Sequence, residues 1–300
     1  MERRSFVFTE LTDSPSPAPY ARNRASSRPH LAHEKMLRRA AVNATMKSSA
    51  AAASAFARSA SSASKASLYE VRTYDIAPAS LSEYLATCDA HASTRKRLCE
   101  GFLAFFVTEL GGDANEVTHV YRYSDYDERD ATRARMARDA DWQSFLAKTK
   151  PMIQRQRTEV FLEASGATKA AGLEANDIAR RAREGSTTSA SGVFELRRYQ
   201  LELGYNPIPK LVELMANGLP SKIASDEAQK SSLVWMGYSD VGKLNQFVEL
   251  WRYDTMQDHI RAREAARGAS AWRKAVNDIA PMVQMFDTRL LRPASFSPIR

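Results

Sequence analysis

The chain repeats two short motifs in the same order, and this duplication constrains the fold more than any other feature of the sequence. The stretch LYEVRTYD at 68–75 returns as VFELRRYQ at 193–200, and THVYRYS at 118–124 returns as VELWRYD at 248–254. In each copy a tryptophan then follows, nine residues before a Pro-Met pair. Copies 125 to 130 residues apart are too long for solenoid repeats, which run about 20–50 residues. The sequence therefore predicts two copies of one small domain.

Hydrophobic periodicity predicts the same element order, βαββαβ, in both copies. Tyr69 and Val71 alternate with Glu70 and Arg72 in the first strand. There follow a helix, a hairpin, a second helix and a closing strand. The second helix is predicted to run through about 150 in the first copy and over 255–280 in the second. Such a sheet carries helices on one face and leaves the other bare. Two copies in one chain cover these bare faces by packing sheet to sheet, which predicts an α+β barrel with its helices outside.

Composition changes along the chain and suggests where the domains begin and end. The segment between the copies is rich in Ala, Gly, Ser, Thr and charged residues, as a linker is, and a short helix is predicted within it at 173–184. The predicted organisation is a disordered tail over 1–67, a first domain over 68–164, a linker over 165–192, a second domain over 193–292 and a C-terminal tail over 293–300.

The positive charge of the chain is concentrated at its N-terminus. Residues 1–60 hold ten Lys or Arg and four Asp or Glu, whereas the remaining 240 residues hold 33 basic and 31 acidic side chains. The body therefore has no compositional signal for nucleic acid. Residues 35–67 lack acids and are rich in Ala, Ser and basic residues, which is typical of a mitochondrial or plastid transit peptide. Met36 is a candidate initiator, and a merely disordered basic tail is the alternative.

No catalytic or metal-binding pattern is present in the sequence. It lacks the GxSxG, GxGxxG and GxxxxGK[ST] motifs. Cys88 and Cys99 have neither a CxxC partner nor metal-ligand spacing, so they are expected to be packed, reduced thiols. The histidines show no paired ligand spacing. We therefore expect no catalytic residues, no metal and no cofactor.

The repeated motifs resemble those of the NIPSNAP family. The paired YEVRTY and FELRRY strands, the hairpin motifs HVYRY and ELWRY, and the Trp…Pro-Met ending of each half carry this resemblance, which spans 68–292. It implies the dimeric α+β barrel superfamily, hence two tandem ferredoxin-like units packed as an intramolecular barrel. It also implies mitochondrial residence, in the matrix or at the inner membrane, and a link to mitochondrial quality control, without an established activity. Superfamily relatives include haem peroxidases and cofactor-free monooxygenases.

Polar side chains on one face of the strands form the candidate site. If that face lines the barrel, its interior holds acids, arginines, an imidazole and aromatic rings that suit a polar or planar ligand. The alternative is structural, with Glu–Arg pairs neutralising each other where the sheets meet. The residues are Glu70, Arg72, Tyr74, His119, Tyr121, Glu195, Arg197, Tyr199 and Trp251.

Two functions remain open on the sequence. The first is a non-catalytic mitochondrial adaptor or accessory subunit, bound to mitochondrial proteins, peripherally to the inner membrane or one of its complexes, or to a second copy of itself. The second is a small-molecule-binding protein or an enzyme of the monooxygenase or haem type that uses the barrel interior.

Overall fold

The structure is a computed structural model that describes residues 66–173 and 192–300, where eight strands close into one barrel. The predicted N-terminal tail and its transit peptide, Met36, and nearly all of the predicted helix at 173–184 lie outside these ranges. The strands are β1 (Leu68–Ile76), β2 (Phe102–Leu110), β3 (Glu116–Tyr123), β4 (Ile153–Glu163), β5 (Val193–Leu201), β6 (Ser231–Val241), β7 (Gln246–Tyr253) and β8 (Val283–Pro293).

The strand order shows how the duplication builds the barrel. Around the barrel the order is β1-β3-β2-β8-β5-β7-β6-β4, so each repeat contributes four adjacent strands with its first strand between its third and fourth. The two repeats join where β2 pairs with β8 and where β4 pairs with β6, both antiparallel. Closure leaves no strand edge in the barrel. The predicted fold of two ferredoxin-like units forming an intramolecular α+β barrel is confirmed.

The helices pack on the outer face of the strands. In the described ranges they are α1 (Leu81–Ala90), α2 (Ala92–Leu98), α3 (Tyr126–Arg138), α4 (Ala140–Thr149), α5 (Ser165–Ala170), α6 (Pro207–Ala224), α7 (Met256–Gly268) and α8 (Ser270–Ile279). The prediction of one continuous helix over 255–280, and of one through about 150 in the first repeat, was wrong. Asp139 and Ala269 have extended backbone and divide each helix in two. At Asp139 the side chain accepts the N–H of Trp142 and caps α4.

The barrel interior is an apolar core shared by the two repeats. Tyr69 of β1 stacks on Trp235 of β6 with ring centroids 4.6 Å apart and planes 4° apart. Phe106 of β2 meets Phe194 of β5 at 4.7 Å. All four side chains are fully buried. Because each pair joins one repeat to the other, the repeats bury their sheets against each other, in addition to the helix–sheet core that each repeat has.

The residues after β8 fold back onto the first repeat. Phe296 is buried against Phe105, with ring centroids 4.9 Å apart. The backbone N–H of Phe105 donates to the Ser297 hydroxyl at 2.9 Å, and the N–H of Ala294 donates to the carbonyl of Phe105 at 2.9 Å. This part of the predicted C-terminal tail is therefore packed. Within the described ranges, no helix has the length and apolar character that a membrane crossing requires.

Candidate functional site

The predicted site residues face the helices and not the barrel interior, which corrects the expected placement. Successive side chains of a strand point to opposite faces, and in β1 it is Tyr69 that points inward. Glu70 points outward, where it accepts hydrogen bonds from Arg129 and Arg133 of α3 at 3.0 and 2.9 Å. The pairing of Glu70 therefore forms between sheet and helix, within one repeat. A Glu–Arg pair between the two sheets, as expected, is made instead by Glu159 of β4 and Arg198 of β5 at 2.9 Å.

One helix–sheet cavity lies in the second repeat. Its volume is about 480 Å³, within the range of roughly 300–1,000 Å³ usual for small-molecule sites. Strands β5 and β7 form its floor and helices α6, α7 and α8 cover it. Three of the predicted residues line it, namely Arg197, Tyr199 and Trp251. The mouth is mixed, since the half-exposed side chains of Val276, Met285 and Phe286 line it together with the exposed Arg267 and Gln284.

Lys222 of α6 is a buried cation in this cavity. Its side chain is 8% exposed, and its Nζ lies 3.5 Å from the ring centroid of Trp251 and 4.7 Å from that of Trp272. The Glu249 carboxylate is 3.7 Å away, beyond hydrogen-bond distance, and in the described part of the chain the ammonium has no hydrogen-bond acceptor. Burial, followed by the charge of Arg197, lowers the pKa of Lys222 well below its usual value. The amine is therefore an open donor, that is, it has N–H groups free to donate a hydrogen bond to a ligand.

Close helix packing brings Lys222 to this position. Gly218 lies one turn before it in α6, and a Cβ added there would lie 2.6 Å from the Cβ of Ala275 in α8. Glycine therefore lets the two helices approach. Residues four apart share a helix face, so Lys222 points along the same side toward Trp272.

A compact ion network fixes the floor of the cavity. Arg197 binds the buried Glu195 at 2.7 Å, and the Tyr253 hydroxyl donates to the same carboxylate at 3.0 Å. Although burial alone raises the pKa of Glu195, bonds from His259 and Arg197 hold it well below its usual range. These groups compensate one another, whereas the Lys222 ammonium retains unused donors.

A second, smaller cavity occupies the equivalent place in the first repeat. Its volume is about 280 Å³, and four predicted residues line it, namely Arg72, Tyr74, His119 and Tyr121. Glu70 is buried beside it. The structure thus gathers the nine candidate residues into two sets, one for each repeat, and does not bring the sets together.

His119 in this cavity is buried and neutral. Its Nδ1 lies 3.1 Å from the Tyr121 hydroxyl and 3.5 Å from Arg95, and within 66–173 and 192–300 its Nε2 has no hydrogen-bond partner. Burial, followed by the charges of Arg95, Arg72 and Arg133, lowers its pKa well below 6.5. The imidazole is therefore uncharged near neutral pH.

The NIPSNAP family model matches the chain twice, over residues 69–166 and 194–298. The chain belongs to the NIPSNAP family. The two matches coincide with the two four-stranded repeats of the barrel, so the resemblance carried by the repeated motifs is confirmed.

Curated relatives cover most of this NIPSNAP chain at low identity. The mouse protein NipSnap homolog 3B is 25% identical over 239 residues, spanning 79% of this chain and 87% of its own. The human protein NipSnap homolog 3A is 26% identical over 238 residues, spanning 77% and 85%. A provisionally assigned monooxygenase from Fusobacterium nucleatum has a similar structure, with a TM-score of 0.54, 10% identity and coverage of 77% and 93%. At that identity the likeness shows the fold alone.

The two NIPSNAP repeats place a cation at the same point, which sequence reasoning missed. Arg95 lies 5.1 Å from the ring centroid of Trp142 in the first repeat, as Lys222 lies near Trp272 in the second. Arg95 faces His119, whereas Lys222 faces Glu249. The sequence did contain a signal for these two cations, because Arg95 and Lys222 lie at similar distances before the hairpin strands of their own repeats.

One acidic cluster in the described ranges has metal-ligand spacing. The carboxylates of Asp75, Asp113 and Glu116 lie within 4.8 Å of one another. Arg155 binds Asp75, however, and Arg157 binds Glu116 at 2.7 Å. Arginines therefore already supply the positive charge that a cation would bring.

Proposed function

We propose that this NIPSNAP protein is a small-molecule-binding protein whose second repeat holds an apolar ligand with a hydrogen-bond acceptor at one end. The observation that carries the proposal is the 480 Å³ cavity with the buried, open donor of Lys222 on α6, one of the helices that cover it. Binding sites commonly combine an apolar lining with a few placed polar groups that fix orientation.

The position of apolar side chains at the mouth of the cavity and of the Lys222 amine deeper inside supports this ligand class. Val276, Met285 and Phe286 are half-exposed at the mouth and suit the apolar body. A carboxylate, sulfonate or carbonyl oxygen that reaches Lys222 satisfies the unused donors, and a hydrogen bond to a charged group contributes about 1.5–3 kcal/mol.

Fluorescence titration with anilinonaphthalene sulfonate tests the proposal, because this dye has an apolar body and one acidic group. We expect saturable enhancement with the wild-type chain. Ala262→Phe fills part of the cavity and is expected to abolish the enhancement. Ala265→Phe, on the same helix but outside the lining, is the matched control and is expected to retain it. Equal binding by wild type and Ala262→Phe would place the dye elsewhere and reject the cavity.

An adaptor or accessory subunit of a mitochondrial assembly is the second candidate. Leu203 is 84% exposed and Tyr205 is 99% exposed. Half-exposed Leu244 lies nearby, since the adjacent Asn245 side chain donates to the carbonyl of Gly204. Exposed apolar side chains gathered at one end favour protein contact.

Native gels of mitochondria test the adaptor role. We expect the wild-type chain to migrate in a larger assembly and Tyr205→Ser to shift it to the free form. Lys243→Ser, an exposed change on a neighbouring loop, is the control. Migration of the wild type only at its own mass would count against a stable assembly.

Mitochondrial residence is part of this second proposal and rests on the acid-free, basic leader. We expect N-terminal sequencing of the mitochondrial form to begin within residues 58–67, because the first strand starts at Leu68. An intact Met1 on the mitochondrial form would remove the transit-peptide argument.

A further inference from the structure

The first repeat contains a buried guanidinium that has no acidic partner in the described parts of the chain. Arg95 is 2% exposed and lines the 280 Å³ cavity. Its Nη atoms donate to the Tyr121 hydroxyl at 2.6 Å, toward His119 Nδ1 at 3.5 Å and to the Cys88 Sγ at 4.0 Å, none of which is a carboxylate. Its Nε has no hydrogen-bond partner among the described residues. A buried charge is costly unless a counter-charge is close.

The surroundings add positive charge. Arg72, Arg95 and Arg133 all line the cavity. Within the described ranges, Glu70 is the one carboxylate that pairs with any of the three, at 3.7 Å from Arg72 and 2.9 Å from Arg133. Glu70 also binds Arg129. One carboxylate thus serves several guanidinium groups, and Arg95 is left out.

Comparison with the second repeat shows what is missing. There, Glu249 lies opposite Arg197 on the paired strands and stands 3.7 Å from Lys222. In the first repeat, His119 lies opposite Arg72 in the same register. The protein therefore supplies its own carboxylate in one repeat and a neutral imidazole in the other. Four aromatic rings surround Arg95 at 5.1 to 5.6 Å, but ring faces carry no counter-charge.

We propose that the cavity of the first repeat binds a small anion, with a carboxylate or phosphate group held by Arg95 and assisted by the open Nε2 of His119. The cavity volume of about 280 Å³ equals that of roughly nine waters in the liquid, which limits the ligand to a small molecule. Guanidinium binds both oxyanions in bidentate geometry. This site is separate from the apolar ligand cavity of the second repeat.

Isothermal titration of the full chain with inorganic phosphate and, separately, acetate tests the proposal. We expect saturable binding of at least one of these probes, and the tighter one identifies the group. Arg95→Met is expected to weaken that binding roughly tenfold to a hundredfold, since it removes a charged hydrogen bond. Lys96→Met removes a positive charge from the exposed face of the same helix and is expected to leave binding unchanged.

A second variant keeps the test decisive if Arg95→Met fails to fold. His119→Glu places a carboxylate where the second repeat has Glu249, so it is expected to replace the anion and abolish binding. In the wild type, a bound anion is expected to raise the pKa of His119, observed by ring proton NMR. Absence of saturable binding by the wild type, or binding that survives both Arg95→Met and His119→Glu, would overturn the proposal.

Discussion

Stability of the barrel at mildly acidic pH depends on His119. The imidazole is 3% exposed, and burial with three nearby arginines lowers its pKa well below the 6.5 expected in the unfolded chain. The unfolded state therefore binds a proton as pH falls through 6.5, while the folded state does not. The stabilisation is fully present above about pH 6.5 and is lost progressively between that value and the lower folded pKa.

The slope in this window is about 1.4 kcal/mol for each pH unit. One unit below the unfolded pKa, at about pH 5.5, the wild type therefore loses about 1.4 kcal/mol that His119→Gln does not lose. For a domain of this size that difference corresponds to about 3–6 °C in Tm.

The assay is urea unfolding of wild type and His119→Gln in phosphate-free buffers between about pH 7.5 and about pH 5.5. All other residues are identical in the two proteins, so the difference between the two curves isolates His119. We expect the stability of the wild type to fall more steeply. Parallel curves would refute the reasoning, because they would mean that burial and the arginines do not hold this imidazole neutral.

Three further predictions concern the shared core and the second repeat. Trp235→Ala is expected to cost about 3–5 kcal/mol and to retain a single calorimetric transition, since this indole joins the two halves. Residues 62–170 or 186–300 alone are expected to dimerise or aggregate in sedimentation experiments, because each fragment exposes strands that the other half pairs; two well-behaved monomers would show separate domains. Lys222→Met is expected to destabilise by about 3–5 kcal/mol in urea unfolding because it leaves Glu249 buried without its nearest cation, and adding Glu249→Gln is expected to recover part of that loss.

The fold was predictable because the duplication and the strand periodicity are both visible in the sequence. Two copies of a one-faced sheet have a simple way to cover their bare faces, and the chain adopts it. The breaks at Asp139 and Ala269 were not visible, since the flanking residues favour helix and a single extended residue leaves no change in composition.

That these polar side chains share one face of each strand was predictable, but which face they occupy, and their division into one set for each repeat, were not. Alternation separates Glu70 from Tyr69, yet both faces of these strands carry large side chains. The choice depends on Arg129 and Arg133, which lie about 60 residues away and meet Glu70 only in the folded chain. The periodicity of a strand contains no information about partners so far away in the sequence. Lys222 could not be predicted as a site residue for the same reason, because only the folded chain brings it next to Trp251, Trp272 and Glu249.

Ligand binding in the second repeat is tested most directly by a crystal structure of the full chain with anilinonaphthalene sulfonate. We expect dye density between helices α6, α7 and α8 and the sheet, with a sulfonate oxygen within hydrogen-bond distance of Lys222 Nζ and the ring system toward Phe286. A cavity closed by side chains, or dye found only on the outer surface, would contradict it.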